Sequence, residues 1–231
     1  MRACLLILLA LISFAAQGSP QQVSAKYRVF KNGTQVGMVS EHFDRNGQQY
    51  HIESTTTATG IFALFARGAI ILHSEGDITQ DGLRPLHFEH HRGADPARLI
   101  VADFDWSKPA VTHKYDGKSE TASLVVGTQD RISQLYQFMF QPPRPPHVEF
   151  NMSTGRKLNL YRYRVVGEES VITPAGTFQT LHISKQRTLD EDGTELWLAK
   201  SRYYFPVRIV IDEKDGGKLE QQVESLSFIP D

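Results

Sequence analysis

From Val23 onward, apolar and polar positions alternate with a period of two, and residues suited to turns break the alternation at short intervals. Tyr27-Arg28-Val29-Phe30, the turn Lys31-Asn32-Gly33 and the stretch 35–43 read as a hairpin, because Asn-Gly accepts positive φ at both centres of a tight turn. Asn46-Gly47 repeats the device before a strand over 50–59. Further strands are predicted at 68–79, 83–93, 97–106 and 110–115, divided by Asp81-Gly82, Gly93-Ala94-Asp95-Pro96 and Ser107-Lys108-Pro109. The period then changes once. Between 128 and 140, Ile132, Leu135, Tyr136, Met139 and Phe140 recur at helical spacing behind Asp130, which is placed to cap the first turn.

The run Gln141-Pro142-Pro143-Arg144-Pro145-Pro146 stops this helix and reads as a rigid connector. Strands resume at 147–154, 157–167, 170–173, 176–187, 194–200, 206–212 and 217–228, with turns at Thr154-Gly155, Pro174-Ala175-Gly176, 190–193 and Asp215-Gly216-Gly217. A dozen strands seldom stay open and flat. The expected fold is therefore mainly β: a single-domain antiparallel meander curled into a barrel or half-barrel, with one amphipathic helix packed on its concave face. A split into a sandwich stays open at this level.

The N-terminus is patterned differently. Arg2 precedes an apolar run of about fourteen residues that closes on Ala16-Gln17-Gly18, the arrangement of a secretory signal peptide cleaved before Ser19. The run is shorter than the roughly 20 residues that span a bilayer as a helix, and no later stretch approaches that length. The expected organisation is a signal peptide over 1–18 and one domain over 19–231, located in the periplasm. The only cysteine, Cys4, leaves with the signal, so the mature chain forms no disulfide and relies on its core. Loss of Arg2 leaves 24 of the 25 basic side chains against 26 acidic ones. A balance so near neutrality offers no field for nucleic acid.

Several motifs resemble those of the exported bacterial proteins grouped as domain of unknown function 3108. Gly167-Glu168-Glu169-Ser170-Val171-Ile172-Thr173-Pro174-Ala175-Gly176-Thr177-Phe178 is similar to that family's strand, Thr-Pro-x-Gly-x-Phe turn, strand signature. Glu195-Leu196-Trp197-Leu198-Ala199, Tyr204-Phe205-Pro206-Val207-Arg208-Ile209 and Glu220-Gln221 follow in the family's order, and Gly127 to Tyr136 resembles its Gln-Asp-Arg-x-Ser helix start. The resemblance implies an exported, mainly antiparallel β protein of the cell envelope. Asp130, Arg131, Pro174, Gly176, Pro206 and Arg208 are the motif residues. Lys200-Ser201-Arg202 stands where related sequences tend to place an Asp after the Trp-Leu-Ala strand.

Elementary chemistry explains much of the signature without catalysis. Pro174 presets φ for its turn and Gly176 takes positive φ, which fixes hairpin register. Leu196 and Trp197 fall on opposite faces of their strand, so at most one of them points into the core. Arg208 is placed for a cross-strand pair with Glu195 or Glu220.

Two segments are candidate sites. His87, Glu89 and His91 share one face of a strand and form a weak metal alternative, since residues about 6.5–7 Å apart along a strand span too far for one tetrahedral ion without a bend. The segment 60–72, flanked by Gly60 and Gly68, is too apolar for a strand with one wet face. It is expected to be core, or else a lip over a cavity whose lining includes Phe62, Phe65, Ile70 and Leu72, with Trp197 beside it. No Gly-x-Ser-x-Gly elbow, mature cysteine or sequence-adjacent nucleophile set is present. The reading favours a non-catalytic binding or carrier module without cofactor, taking an apolar small molecule or lipid. A scaffold for another envelope protein comes second, and a hydrolase of envelope polymers third.

Overall fold

The computed structural model describes residues 19–185 and 191–230; the signal-peptide reading, the end of the 176–187 strand and the start of the 190–193 turn lie outside these residues. The first arm of the molecule runs through β1 (Gln22–Lys31), β2 (Thr34–Asn46), β3 (Gln49–Ala58), β4 (Ile70–Thr79), β5 (Gly82–Arg92), β6 (Ile100–Asp105), β7 (Ala110–Tyr115) and β8 (Lys118–Ser123). Next come β9 (Gln129–Asp130) and the helix α1 (Ser133–Phe140). The second arm comprises β10 (His147–Ser153), β11 (Leu158–Thr173), β12 (Gly176–Lys185), β13 (Gly193–Ala199), β14 (Phe205–Asp212) and β15 (Lys218–Ile229).

All fifteen strands belong to one sheet in the order β8 to β1, then β15 down to β9. Every neighbouring pair is antiparallel except β9 with β10, and the sheet stays open between β8 and β9. The long-range joint is β1 with β15, which fastens the start of the described chain to its end through ten paired positions. The meander with one helix is thus present as an open, curled sheet.

Alternation fixes which side chains face inward. Val23, Ala25, Tyr27 and Val29 of β1, Val39 and Phe43 of β2, and Tyr50 and Ile52 of β3 are buried on the concave face. Helix α1 fills that concavity and joins two cores. Ile132, Tyr136 and Met139 pack with Phe43, Phe205 and Val207, while Phe138 packs with Tyr163, Ile183, Leu196 and Ile209. Tyr136 stacks on Phe43 with ring centroids 5.4 Å apart and meets Phe205 edge-on at 5.3 Å.

The open ends of the arms are stitched by side chains instead of a backbone ladder. His113 Nε2 lies 2.9 Å from Ser153 Oγ, Gln129 Nε2 donates to the Leu83 carbonyl at 2.9 Å, and the Leu83 N–H donates to Gln137 Oε1 at 2.7 Å. Gly155 is required where the second arm touches the first, because a Cβ there would sit 2.6 Å from Ile100 Cγ2 and 3.1 Å from the Phe88 ring.

Three local features differ from the sequence-based expectation. The predicted helix over 128–140 is shorter, since residues 129–130 form the parallel bridge to β10 before the chain turns helical at Ser133. The strands expected at 157–167 and 170–173 are one strand, β11, carried across a register shift between Val165 and Gly167. Strand β8 has no apolar alternation to announce it; its residues are almost all exposed, as suits an edge strand.

Candidate functional site

Asp130 is the hinge pin between sheet and helix. Its Oδ1 accepts the Ile132 and Ser133 N–H groups at 2.9 and 2.8 Å, and its own N–H donates to Ser133 Oγ at 2.9 Å. This reciprocal arrangement caps the first turn. Asp130 Oδ2 accepts from Ser74 Oγ at 2.6 Å, and Ser74 in turn meets Tyr50 OH at 3.1 Å, so the cap also ties α1 to β4 and β3. Burial pushes the Asp130 carboxyl up from its ordinary range, against the pull of these hydrogen bonds. Its neighbour Arg131 is exposed, in the field of Arg92, Tyr161 and Asp192.

A second buried carboxyl lies on the same concave face. Glu41 receives the Tyr136 hydroxyl at 3.2 Å and the Ser54 hydroxyl at 3.3 Å. Desolvation raises its pKa to about 7, and the two hydrogen bonds only partly oppose that rise. His90, buried beside Leu72, is pushed down to about 4, first by burial and then by Arg131 and Arg92. Asp130 and Glu41 fix the helix in the sheet through these hydrogen bonds.

A groove of about 310 Å³ opens between α1 and β10. Phe138, Val148, Phe150, Val126 and Leu160 supply its apolar surface, and Gln137, Gln141, Glu149 and Asn151 its polar rim. Val126 is 82% exposed and Leu160 55% exposed, unusual values for large aliphatic side chains meeting at one place. The groove runs beside the β10 edge over 147–151, which among the described residues carries no ladder partner on that side, because β9 pairs with Met152 and Ser153. Gln137 and Gln141 donate to the carbonyls of Asp81 and Gln80 at 2.8 and 3.0 Å, so the helix end above the groove is fastened to the β4–β5 turn.

The lining expected from the sequence is not gathered here. Phe62 and Phe65 lie in the connection from β3 to β4, at the opposite end of β4 from the β4–β5 turn. Phe65 is 81% exposed, with Ile61 and Leu64 also exposed around a short 3-10 turn. The expectation of burial for this segment is therefore corrected. Gly60 and Gly68 take φ of +60° and +100°, and the chain is tied down at Arg67 and Ala69 by the Ala94 and Gly93 N–H groups, both at 3.0 Å. The apolar residues project as a rim and do not roll onto the core. Ile70 and Leu72 share the inward face with Ser74, Ile70 being exposed and Leu72 packed on the main core.

Trp197 is likewise corrected. Leu196 takes the concave side, so Trp197 stands on the other face, where it clusters with Val171 and Val210 beneath polar side chains. His182 stacks on it at 4.3 Å, the Arg208 guanidinium lies 4.5 Å from its ring centre, and its Nε1–H donates to Glu169 at 2.6 Å. Arg208 Nε donates to Glu220 at 2.7 Å, the cross-strand pair its position suggested. The Pro206 carbonyl accepts the buried Tyr27 hydroxyl at 2.8 Å, a link from β14 to β1. Pro174 is exposed, and Gly176 has φ of +127° with the Thr173 hydroxyl donating to its carbonyl at 3.2 Å.

The histidines of β5 are engaged in a way that replaces the single-strand metal alternative. Glu89 bridges His87 and His91 at 3.2 and 2.8 Å, and His87 Nδ1 lies 2.7 Å from Asp103. The groups of metal-ligand type that converge among the described residues are instead His51, His73 and Glu75, on two adjacent strands. Sequence spacing could not show this, because cross-strand proximity depends on pairing.

The sequence from 24 to 222 matches the family model described as protein of unknown function (DUF3108). The chain belongs to the DUF3108 family. No curated protein matches it. Among solved structures it is similar to the beta-barrel-like DUF1849 protein from Brucella abortus, with a TM-score of 0.56 and 10% identity over 92% of this chain and 99% of that one. A Bacteroides fragilis protein with a YmcC-like fold matches at a TM-score of 0.38 and 11% identity over 91% and 97%. Mycobacterium tuberculosis lipoprotein LppX matches at 0.26 and 10% identity over 88% and 85%. The first likeness establishes a shared beta-barrel-like fold for this DUF3108 chain. Among the described residues, no helix is long and apolar enough to cross a membrane.

Proposed function

We propose that this DUF3108 protein is an exported, non-catalytic binding module that holds an apolar chain in the groove between α1 and β10. The observation that carries the reading is the meeting of exposed Val126 and Leu160 with Phe138, Val148 and Phe150 around about 310 Å³ of open space. That volume is at the lower end of small-ligand sites, and a mainly apolar lining with a few polar groups at its rim is their usual chemistry. Export rests on the N-terminal pattern, which places the mature N-terminus at Ser19; intact-mass measurement of the exported chain tests that address, and retention of Met1 would refute it.

The groove is tested with a hydrophobic fluorescent probe titrated into the wild-type protein and into Val126→Asp/Leu160→Asp. Both residues are exposed, so the charges enter without disturbing the core. Saturable uptake by wild type, displaced by a fatty acid and abolished in the double variant, is the expected result. Equal uptake by both proteins, or loss of uptake only on changing Ile61 and Phe65 to Asp, would move the site to the β3–β4 rim and overturn the groove. A second reading, a docking surface for an extended peptide, has one observation in its favour: the unpaired β10 edge beside the same groove. Displacement of the probe by peptide and not by fatty acid would select it.

A further inference from the structure

The outer face of the first arm carries a pattern that neither the groove nor the core uses. Cross-strand pairing places Asp44, His51, Glu75, His87 and Asp103 in one row across β2 to β6, through the partners Asp44↔His51, His51↔Glu75, Glu75↔His87 and His87↔Asp103. The adjoining row reads His42, Glu53, His73 and Glu89, through His42↔Glu53, Glu53↔His73 and His73↔Glu89. Imidazole and carboxylate therefore alternate both along the strands and across them. Within this checkerboard, the rings of His51 and His73 close on each other instead of turning to their acids: His73 Nε2 lies 3.0 Å from His51 Nδ1, with ring centroids 4.4 Å apart. His73 Nε2 is 4.0 Å from Glu75 Oε2, and the three donor atoms all fall within 4.8 Å of one another.

We propose that His51 Nδ1, His73 Nε2 and Glu75 form a binding site for a divalent transition-metal ion, with Zn²⁺ the best match to the donor set. Two imidazoles and a carboxylate are borderline ligands suited to zinc. A tetrahedral ion with Zn–N bonds of about 2.0–2.1 Å holds its donor atoms roughly 3.3 Å apart. The nitrogen pair is within a few tenths of an ångström of that value, and the exposed Glu75 carboxylate, 4.0 Å from His73 Nε2, reaches the same ion by a side-chain rotation. His51 faces Glu75 across β3 and β4, and His73 is its diagonal neighbour, so the set converges because the two rings turn toward each other across the strands. Acids stand next to both imidazoles in register: Asp44 faces His51, while Glu53 and Glu89 face His73 from either side. An ion would turn a close nitrogen–nitrogen contact, in which a shared proton is the sole glue, into two coordination bonds.

The test uses the untagged chain, so that no added histidines compete. Calorimetric titration with Zn²⁺ should saturate at one ion per chain, and Co²⁺ should give the intense visible bands of a four-coordinate site. His51→Ala and His73→Ala should each weaken Zn²⁺ binding by on the order of tenfold or more, with Glu75→Gln also weaker. His147→Ala, an exposed histidine of β10 on the other arm, should leave affinity unchanged, and circular dichroism of each variant separates metal loss from misfolding. Failure of wild type to saturate with Zn²⁺ overturns the site. So does a correctly folded His73→Ala that keeps wild-type affinity, or a His147→Ala that loses as much as His73→Ala.

Discussion

Glu41 and His42 are consecutive residues of β2, yet they belong to different physical worlds. Glu41 points into the concavity, where Tyr136 and Ser54 donate to a carboxyl that burial holds protonated up to about pH 7. His42 points outward into the array of imidazoles and carboxylates, where every acid has a base across the strand and water beside it. The inner face holds this carboxyl as a neutral, hydrogen-bonded group. The outer face keeps its charges by pairing them weakly. A sheet only one residue thick separates the two regimes, so substitutions one position apart should differ in size, pH dependence and salt dependence.

The largest effect is expected at the centre of the inner face. Tyr136→Ala removes a fully buried ring stacked on Phe43 and edge-on to Phe205, and leaves the Glu41 carboxyl with Ser54 as donor, so denaturant unfolding should show a loss of about 3–5 kcal/mol. A loss below about 1 kcal/mol would mean that the helix is not an integral part of the core.

Glu41 itself should make stability pH-dependent. Its folded pKa of about 7 stands above the ordinary 4.5, so between these values the folded state holds a proton that the unfolded state has released. Stability then falls as pH rises through this window and levels off above it, by about 3 kcal/mol in all. Glu41→Gln should flatten that slope and exceed wild type in stability at pH 8. A wild-type profile without a fall across the window would show that Glu41 is charged in the fold.

Effects on the outer face should be smaller. Arg208→Ala loses the Glu220 pair and uncovers one side of Trp197, with an expected cost of about 1 kcal/mol and a red shift of tryptophan emission. Least of all, His87→Ala removes the bridge to Glu89 and Asp103 on a half-exposed surface and should cost under about 1 kcal/mol, shrinking further with added salt. A cost at His87 rivalling that at Tyr136 would erase the distinction between the faces.

Much of the fold was legible in the chain. Asn32-Gly33 does turn a hairpin with positive φ at both centres, whereas the second hairpin turns on Gly47-Gln48 with Asn46 still paired to Gln49; the single change of period does mark α1, and Asp130 does bond its first turn. The opposite orientations of Leu196 and Trp197 follow from parity alone. The site was much less legible. The segment 60–65 was apolar enough to suggest burial, but its exposure follows from the ties at Arg67 and Ala69 that hold it clear of the core. Val126 and Leu160 carried no signal, since isolated aliphatic residues in a loop and on a strand look ordinary until the helix end and the β10 edge bring them together.

By itself, the sequence determined strand positions, turn chemistry, the one helix and the face on which each side chain stands, because these depend on dihedral preferences and on a period of two or 3.6 residues. Only the tertiary structure decided that β1 pairs with β15, that Glu41 is sealed beneath Tyr136, and that His51 meets His73 across two strands. Those outcomes rest on contacts between residues distant in the chain, and on how far a curled sheet closes over its helix. Local pattern fixes which face a residue occupies. The partner it finds there is set by long-range pairing.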